Sequence, residues 1–230
     1  MGVTRNVGHQ IGRQLAPRLT DLAPGLSSSF VREALDRAIA GVGPLPPIRD
    51  TVAHHLRERD GRVEKAVKDV VDQHIRYAGV SGFATNLGGV MTLAVALPAN
   101  LLGTALVQCR MVAGVAQLRG YDLDDPRTHN AVLVTVLGEE TVDRLVAKGT
   151  IPAPPMALAT APVHDARIDA VVSAEVARDL VARVTGRRLA TTVGRRVPGL
   201  GGVVGMTADG WATYKIGSYA ERELLPRNLR

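Results

Sequence analysis

Residues that could bind a metal or take part in catalysis are few in this 230-residue chain. Asp50 and His54 are spaced i, i+4, so a helix would place both on one face, where they could share a metal ion. A zinc site needs a third protein ligand, and none stands at a recognisable spacing. His74 falls on the apolar positions of its own segment, which is typical of a buried core histidine.

Three aspartates and the single cysteine are also explained by structure rather than by chemistry. Asp122, Asp124 and Asp125 follow a Gly-Tyr pair, but the EF-hand glycine and distal glutamate are missing, and helix capping accounts for them. Cys109 has no neighbours that would activate a nucleophile, so we expect a small core residue. One cysteine excludes an intramolecular disulfide, which fits a reducing compartment.

Sequence motifs for known chemistry are missing. The stretch "GLGGVVG" at 199–205 resembles a dinucleotide loop, but no strand precedes it and its glycines are spaced G-x-G-x-x-x-G. Gly201 and Gly205 predict instead a small-residue helix face that permits close helix approach. We therefore predict no catalytic, cofactor-binding or metal-binding residues, and we expect a protein that is not an enzyme.

An uncharged run of 33 residues, 77–109, dominates the middle of the chain. Gly88 and Gly89 lie in its first half, and Pro98 divides it. Because proline cannot bond back within a helix, we predict two helices that meet near 97–98, the second extending from Ala99 to residue 119. Such a glycine-rich, apolar helical hairpin would form the core.

The same run could instead be a pair of membrane spans over 79–97 and 99–118. Arg110 would then lie inside the second span, at a cost of about 2.5–3.5 kcal/mol on insertion scales. A hairpin buried in protein explains the same residues without that cost. We favour the buried hairpin and keep the membrane hairpin as an alternative.

Polar residues on the second predicted helix form one line, because Asn100, Thr104 and Gln108 are spaced i, i+4, i+8. They could line a pocket or channel, or they could hydrogen-bond neighbouring helices. Arg110 and Asp209 are isolated charges in apolar segments, and mutual pairing would relieve both. The alternative is that each reaches solvent or a backbone group separately.

The elements that position these residues are predicted to be all helical, since no stretch alternates with the period of a strand. We predict an all-α fold with a loosely attached arm (1–26), a single compact helical domain (27–226) and a tail (227–230). Helices are predicted from 27–29, from Asp60-Gly61 to about 78, over 99–119 with Gly120 as cap, from Asp125-Pro126 to about 137, over 139–149, from about Ser173 with an interruption at Gly186, and in a glycine-rich segment closed by Pro226. Segments 41–47 and 149–164 are predicted to be a linker and a loop.

The net charge of +6 and the pI of about 10.0 favour an anionic partner. On a helix, the arginines of "RRLATTVGRR" would lie opposite Leu189 and Val193; these arginines are Arg187, Arg188, Arg195 and Arg196. Such a cationic strip suits an anionic membrane surface, and a merely solvated basic face is the alternative. Nucleic acid is disfavoured, since no aromatic residue interleaves with these charges.

Three stretches together resemble the EcsC family of bacterial proteins: "GVSGFATNLGGVMTLAVALPANL", "VQCRMVAGVAQLRGYDLDDP" and "RRVPGLGGVVGMTADGWATYKIGSYAERE". The residues that carry the resemblance are Gly88, Gly89, Pro98, Asn100, Gln108, Arg110, Gly120, Tyr121, Asp122, Pro198, Gly201, Gly205 and Asp209. Twenty-four arginines against four lysines further indicate a GC-rich bacterial genome.

The resemblance implies no catalytic residues, because no enzymatic activity is established for the family. The family is named after a protein encoded beside an ABC transporter, which implies a link to transport or envelope processes and a possible membrane-protein partner. Asn100 departs from the family pattern, in which an acid is common at this position, and asparagine keeps the hydrogen bonding of that acid but not its charge.

Our leading hypothesis is a non-enzymatic cytoplasmic protein, peripheral at the inner face of the plasma membrane. The first alternative is an integral membrane hairpin or pore-like protein. The second is a helical enzyme or carrier of a lipid or small ligand, with a cavity along Asn100, Thr104 and Gln108. The sequence predicts no cofactor and leaves the oligomeric state open.

Overall fold

A computed structural model of the chain describes residues 28–42, 45–79, 99–194 and 201–227. Regular structure in these ranges is helical, which confirms the predicted all-α class. The helices are α1 (Ser28–Ala40), α2 (Ile48–Glu58), α3 (Val63–Gly79), α4 (Ala99–Leu118), α5 (Pro126–Val136), α6 (Glu139–Ala147), α7 (Pro155–Ala159), α8 (Ala166–Gly194) and α9 (Gly201–Glu223). Predictions that lie outside the described residues concern the arm 1–26, the first half of the hairpin with Gly88, Gly89 and Pro98, and also Arg195, Arg196 and Pro198.

Helix α4 lies at the centre of the fold, in contact with α1, α2, α3, α5 and α9. It begins at Ala99, directly after the proline, as predicted for the second helix of the hairpin. Leu106, Met111 and Val115 are buried on different sides of α4, as expected for a helix that is apolar nearly all round. Within the described ranges, no helix is both long enough and apolar enough to cross a membrane.

Two glycines let α3, α4 and α9 approach closely. A Cβ added at Gly114 of α4 would lie 2.9 Å from Cγ1 of Val70, and one added at Gly217 of α9 would lie 2.7 Å from Cγ1 of Val71. Both distances are shorter than carbon atoms tolerate without a shift of the neighbour. Hydrogen is therefore the side chain that this packing requires at both positions.

Local signals near the end of α4 are confirmed. Gly120 has a φ of +82°, and the N–H of Tyr121 donates to the carbonyl of Ala116 at 3.0 Å, which completes a glycine C-cap. The side chain of Asp125 accepts from the N–H of Arg127 at 2.8 Å and caps α5, whose first residue is a proline.

Helix α8 differs from its prediction at its start and in its middle. It begins at Ala166 rather than near Ser173, and the Asp165 carboxylate accepts from the N–H of Arg167 at 2.9 Å. It also continues through Gly186, because a glycine inside a helix costs only about 1 kcal/mol relative to alanine. The capping signal at Asp165 was available in the sequence and marks the true beginning.

Two shorter helices were also missed by the sequence analysis. The predicted loop 149–164 contains α7, which starts with Pro155 in its first turn, where the missing N–H is harmless. Residues 48–58, which received no assignment, form α2. Helix α2 contacts α1, α3 and α4 and buries Ile48 and Val52, so tertiary packing stabilises it.

Candidate functional site

A cleft of about 790 Å³ lies between α4, α8, α9 and the beginning of α6. Its apolar lining includes Leu137, Leu180 and Ile216, one from each of three parts of the fold. Its polar lining includes Thr104 and Gln108, two of the three residues that the sequence placed on one polar line. The third, Asn100, lies in the first turn of α4, and its side chain is outside the described part of the chain.

Gln108 joins three helices at the wall of this cleft. Its side chain is fully buried, and its amide nitrogen donates to Oγ1 of Thr213 in α9 at 3.1 Å. Its amide oxygen accepts from Arg183 of α8 at 3.3 Å. Both interpretations of the polar line therefore hold for Gln108, since it lines a pocket and also hydrogen-bonds neighbouring helices.

Arg183 connects the cleft to the helices behind it. Its guanidinium donates to the carbonyl of Val136 in α5 at 3.2 Å and forms an ion pair with Asp179 at 2.6 Å. Burial raises the pKa of Asp179, because it disfavours the charged carboxylate, and the nearby Arg183 offsets only part of that effect.

Charges at the rim of the cleft have both signs. Arg222 of α9 forms an ion pair with Glu139 of α6 at 2.6 Å, while Lys215, Glu140 and Asp209 also line the opening. In the described part of the chain, no group of three or more His, Cys, Asp or Glu side chains could hold a metal ion. The cleft is therefore suited to binding through shape and hydrogen bonds rather than through one dominant charge.

Arg110 does not have the partner that the sequence predicted. It is 2% exposed, and its guanidinium donates to the carbonyls of Ala38 and Pro46 and to Oγ1 of Thr51 at 2.9 Å. Positions 108 and 110 are about 200° apart around α4, so Arg110 faces away from the cleft that Asp209 lines. The predicted Arg110–Asp209 pair is wrong, and the backbone alternative describes Arg110.

The basic segment lies partly inside the described structure. Arg187 and Arg188 belong to the last two turns of α8, although their side chains are outside the described part, and Gly201 and Gly205 lie in the first two turns of α9. Leu180 and Arg183 line the same cleft as residues of α9, so this end of α8 continues from the cleft wall.

An exposed aromatic pair on α9 was missed by the sequence analysis. Trp211 is 60% exposed and Tyr214 is 48% exposed, and their rings stack with centroids 5.4 Å apart. The ammonium of Lys215 lies 5.8 Å from the centroid of the Trp211 ring. The available signal was the spacing i, i+3, i+4, which places all three on one helix face.

A comparison with protein-family models identifies the chain. The model described as the EcsC protein family matches residues 47–229, which include α2 through α9. This chain belongs to the EcsC family. No curated protein and no solved structure matches the chain at the level of significance required. The predicted EcsC resemblance is thus confirmed.

Within this EcsC domain, the Gly120-Tyr121-Asp122 motif has a structural role. The Tyr121 ring is 3% exposed, its hydroxyl donates to the carbonyl of Leu225 at 2.9 Å, and Arg227 lies over the ring. The carboxylate of Asp122 accepts from the N–H of Asp124 at 3.0 Å. The motif ends α4 and fixes the segment after α9 against it, so these residues contribute to stability.

Proposed function

We propose that this EcsC protein is a non-enzymatic protein that attaches peripherally to the anionic inner face of the plasma membrane. The observation that carries the proposal is the exposed, stacked Trp211–Tyr214 pair with Lys215 beside it. Tryptophan and tyrosine rings favour the membrane–water interface, because one part of each ring is apolar and the other forms hydrogen bonds. Lysine beside them can reach phosphate headgroups.

The basic segment 187–196 supports membrane contact on the same side of the molecule as Trp211 and Tyr214. It carries four arginines and no acid, and α8 extends to Gly194 along the side of the molecule where α8 and α9 share the cleft. Near an anionic surface each arginine contributes about 1 kcal/mol, so four contribute about 4 kcal/mol. Attachment of this strength is reversible and weakens as salt screens the charges. A membrane-protein partner would then find the protein already concentrated at the bilayer.

Vesicle flotation tests this proposal. Wild-type protein is expected to float with vesicles that contain phosphatidylglycerol and to stay behind with vesicles of phosphatidylcholine alone. Replacement of Arg187, Arg188, Arg195 and Arg196 by glutamate should abolish flotation. Each replacement changes the charge by two, so the net charge falls from +6 to −2.

A matched control variant shows whether flotation depends on where the arginines lie or only on the net charge of the protein. The control replaces four exposed arginines outside this segment: Arg57, Arg76 and Arg144 lie on other helices, and Arg167 lies at the opposite end of α8. Their replacement by glutamate gives the same net charge. This control should float better than the variant of segment 187–196. Equal flotation of the two variants, or equal flotation of the wild type with neutral and anionic vesicles, contradicts attachment through the basic segment.

The cleft favours a second candidate function, a carrier of a lipid or small ligand. Its volume of about 790 Å³ and its mixture of apolar walls with Gln108 and Thr104 suit a mostly apolar molecule with a polar end. Native mass spectrometry of the purified protein would reveal a bound molecule. Ala212→Trp, which narrows the cleft, should remove it, whereas Ala40→Trp at an exposed position of α1 should not.

A further inference from the structure

A second cavity lies on the opposite side of α4 from the cleft, between α2, α3 and α4. It has a volume of about 190 Å³, and its lining includes Thr51, His54, Gln73, His74, Tyr77 and Arg110. Since one water occupies about 30 Å³ in the liquid, this volume has room for several waters or for one small ion. The exposed side chains of Asp50 and His54 line its mouth, and the buried side chains of His74 and Arg110 line its interior.

Arg110 brings a positive charge into this cavity. Its partners in the described part of the chain are two carbonyls and one hydroxyl, which are all neutral. Burial lowers the pKa of Arg110 to about 10, so the guanidinium is still charged near pH 7. Of the five N–H donors of a guanidinium, these bonds use three and leave two. A buried cation of this kind gains free energy from an anion beside it.

His74 brings an unused acceptor into the same cavity. Its side chain is fully buried, and its Nδ1 lies 2.7 Å from the carbonyl of Val70, so Nδ1 carries the proton and donates it. Burial lowers its pKa to about 4, so the ring is neutral near pH 7 and Nε2 has a free lone pair. Nε2 has no hydrogen-bond partner among the described residues. It can therefore accept a hydrogen bond from a bound molecule.

We propose that this cavity binds a small oxyanion that carries one protonated oxygen, with hydrogen phosphate as the model ligand. The Arg110 guanidinium neutralises the anion and donates to its oxygens, and the protonated oxygen donates to Nε2 of His74. Thr51 accepts from Arg110 and donates its hydroxyl proton to the carbonyl of Pro47 at 3.5 Å, a long bond that it can exchange for one to a further oxygen of the anion. Asp50 lies at the mouth on the exposed side of α2, where solvent screens its charge.

Arg110 and His74 together predict that the cavity binds hydrogen phosphate more tightly than sulfate. Sulfate has the size and charge of hydrogen phosphate but carries no proton near neutral pH, so it would place a bare oxygen against the lone pair of His74. Phospholipid phosphodiesters also lack this proton, so the cavity is a different site from the membrane contact. A small phosphomonoester carries this proton only as its monoanion, which is the minor form at pH 7 because its second pKa is about 6.

Equilibrium dialysis of the full chain with radiolabelled phosphate at pH 7 tests the proposal. We expect one phosphate per chain, displaced by unlabelled phosphate and at least about tenfold less effectively by sulfate, because the hydrogen bond to His74 is lost. Displacement by methyl phosphate that strengthens as the pH falls from about 7 to about 6, where more of the ester carries the proton, supports the same site with an ester ligand. No bound phosphate, or equal displacement by sulfate and phosphate, overturns the proposal.

A variant assigns the binding to this cavity. His74→Phe keeps an aromatic ring but removes the acceptor, and it should weaken phosphate binding by about tenfold or more. His164→Phe replaces a histidine outside the cavity and should leave binding unchanged. Unchanged binding in a folded His74→Phe protein overturns the assignment. If His74→Phe does not fold, the comparison of phosphate with sulfate on the wild type still decides.

Discussion

The two faces of α9 differ in the exposure of their aromatic side chains. Tyr219 is 5% exposed and points into the core, whereas Trp211 and Tyr214 are 60% and 48% exposed. The chain has only seven aromatic residues in 230, so two in contact on the surface are conspicuous. The buried face holds the fold together, and the exposed face is available for an interaction outside it.

The largest expected difference between the faces is in stability. Tyr219→Ala removes a buried ring and should lower the free energy of unfolding by about 3–5 kcal/mol. Trp211→Ala removes an exposed ring and should change it by less than about 0.5 kcal/mol. Urea unfolding followed by far-UV circular dichroism measures both, and a similar loss in the two variants would contradict the division of α9 into two faces.

The buried position of His74 also predicts that the free energy of unfolding depends on pH. Its folded-state pKa is lowered to about 4, against about 6.5 in an unfolded chain, so below pH 6.5 the unfolded chain binds a proton that the folded chain does not. The free energy of unfolding should therefore fall by about 3 kcal/mol from this residue as the pH falls from about 6.5 to about 4. The wild type should lose that much more stability over this range than His74→Phe, and parallel losses would contradict a neutral buried ring.

Two glycines of α9 give the smallest expected effect, with opposite signs. Gly217→Ala places a methyl group 2.7 Å from Val71 on the buried face and should destabilise by about 1–3 kcal/mol. Gly210→Ala meets no atom within 4 Å and should stabilise by about 0.5–1 kcal/mol, because alanine is the better helix former. Thermal unfolding of both variants checks the signs, and stabilisation by both would show that α9 does not approach α3 this closely.

Features of the fold that depend on neighbouring residues in the chain were predicted correctly. The start of α4 after Pro98, the glycine cap at Gly120 and the cap at Asp125 depend on neighbouring residues and could be read directly. Helix α2 was not predicted, because its formation depends on packing against α1, α3 and α4. A glycine at position 186 was taken as a break although the helical hydrogen bonds continue through it.

The candidate sites were predictable to different degrees for the same reason. Helical spacing brought Thr104 and Gln108 to one line, and the cleft contains both. The partners of Arg110 come from α1, α2 and the segment between them, up to 72 positions away in the chain. No local sequence pattern predicts contacts over such separations. Exposure of Trp211 was likewise invisible, because the sequence does not state which face of α9 lies against α3 and α4.

Membrane attachment through α9, the central claim, can be measured directly because Trp211 is the only tryptophan of the chain. Its fluorescence therefore reports on this one position. Titration with vesicles containing phosphatidylglycerol should shift the emission to shorter wavelength and protect the ring from acrylamide, and high salt should reverse both changes. Vesicles of phosphatidylcholine alone should have little effect. Emission and quenching that do not change while the protein floats with anionic vesicles would contradict the account, because the bound protein would then keep Trp211 in water.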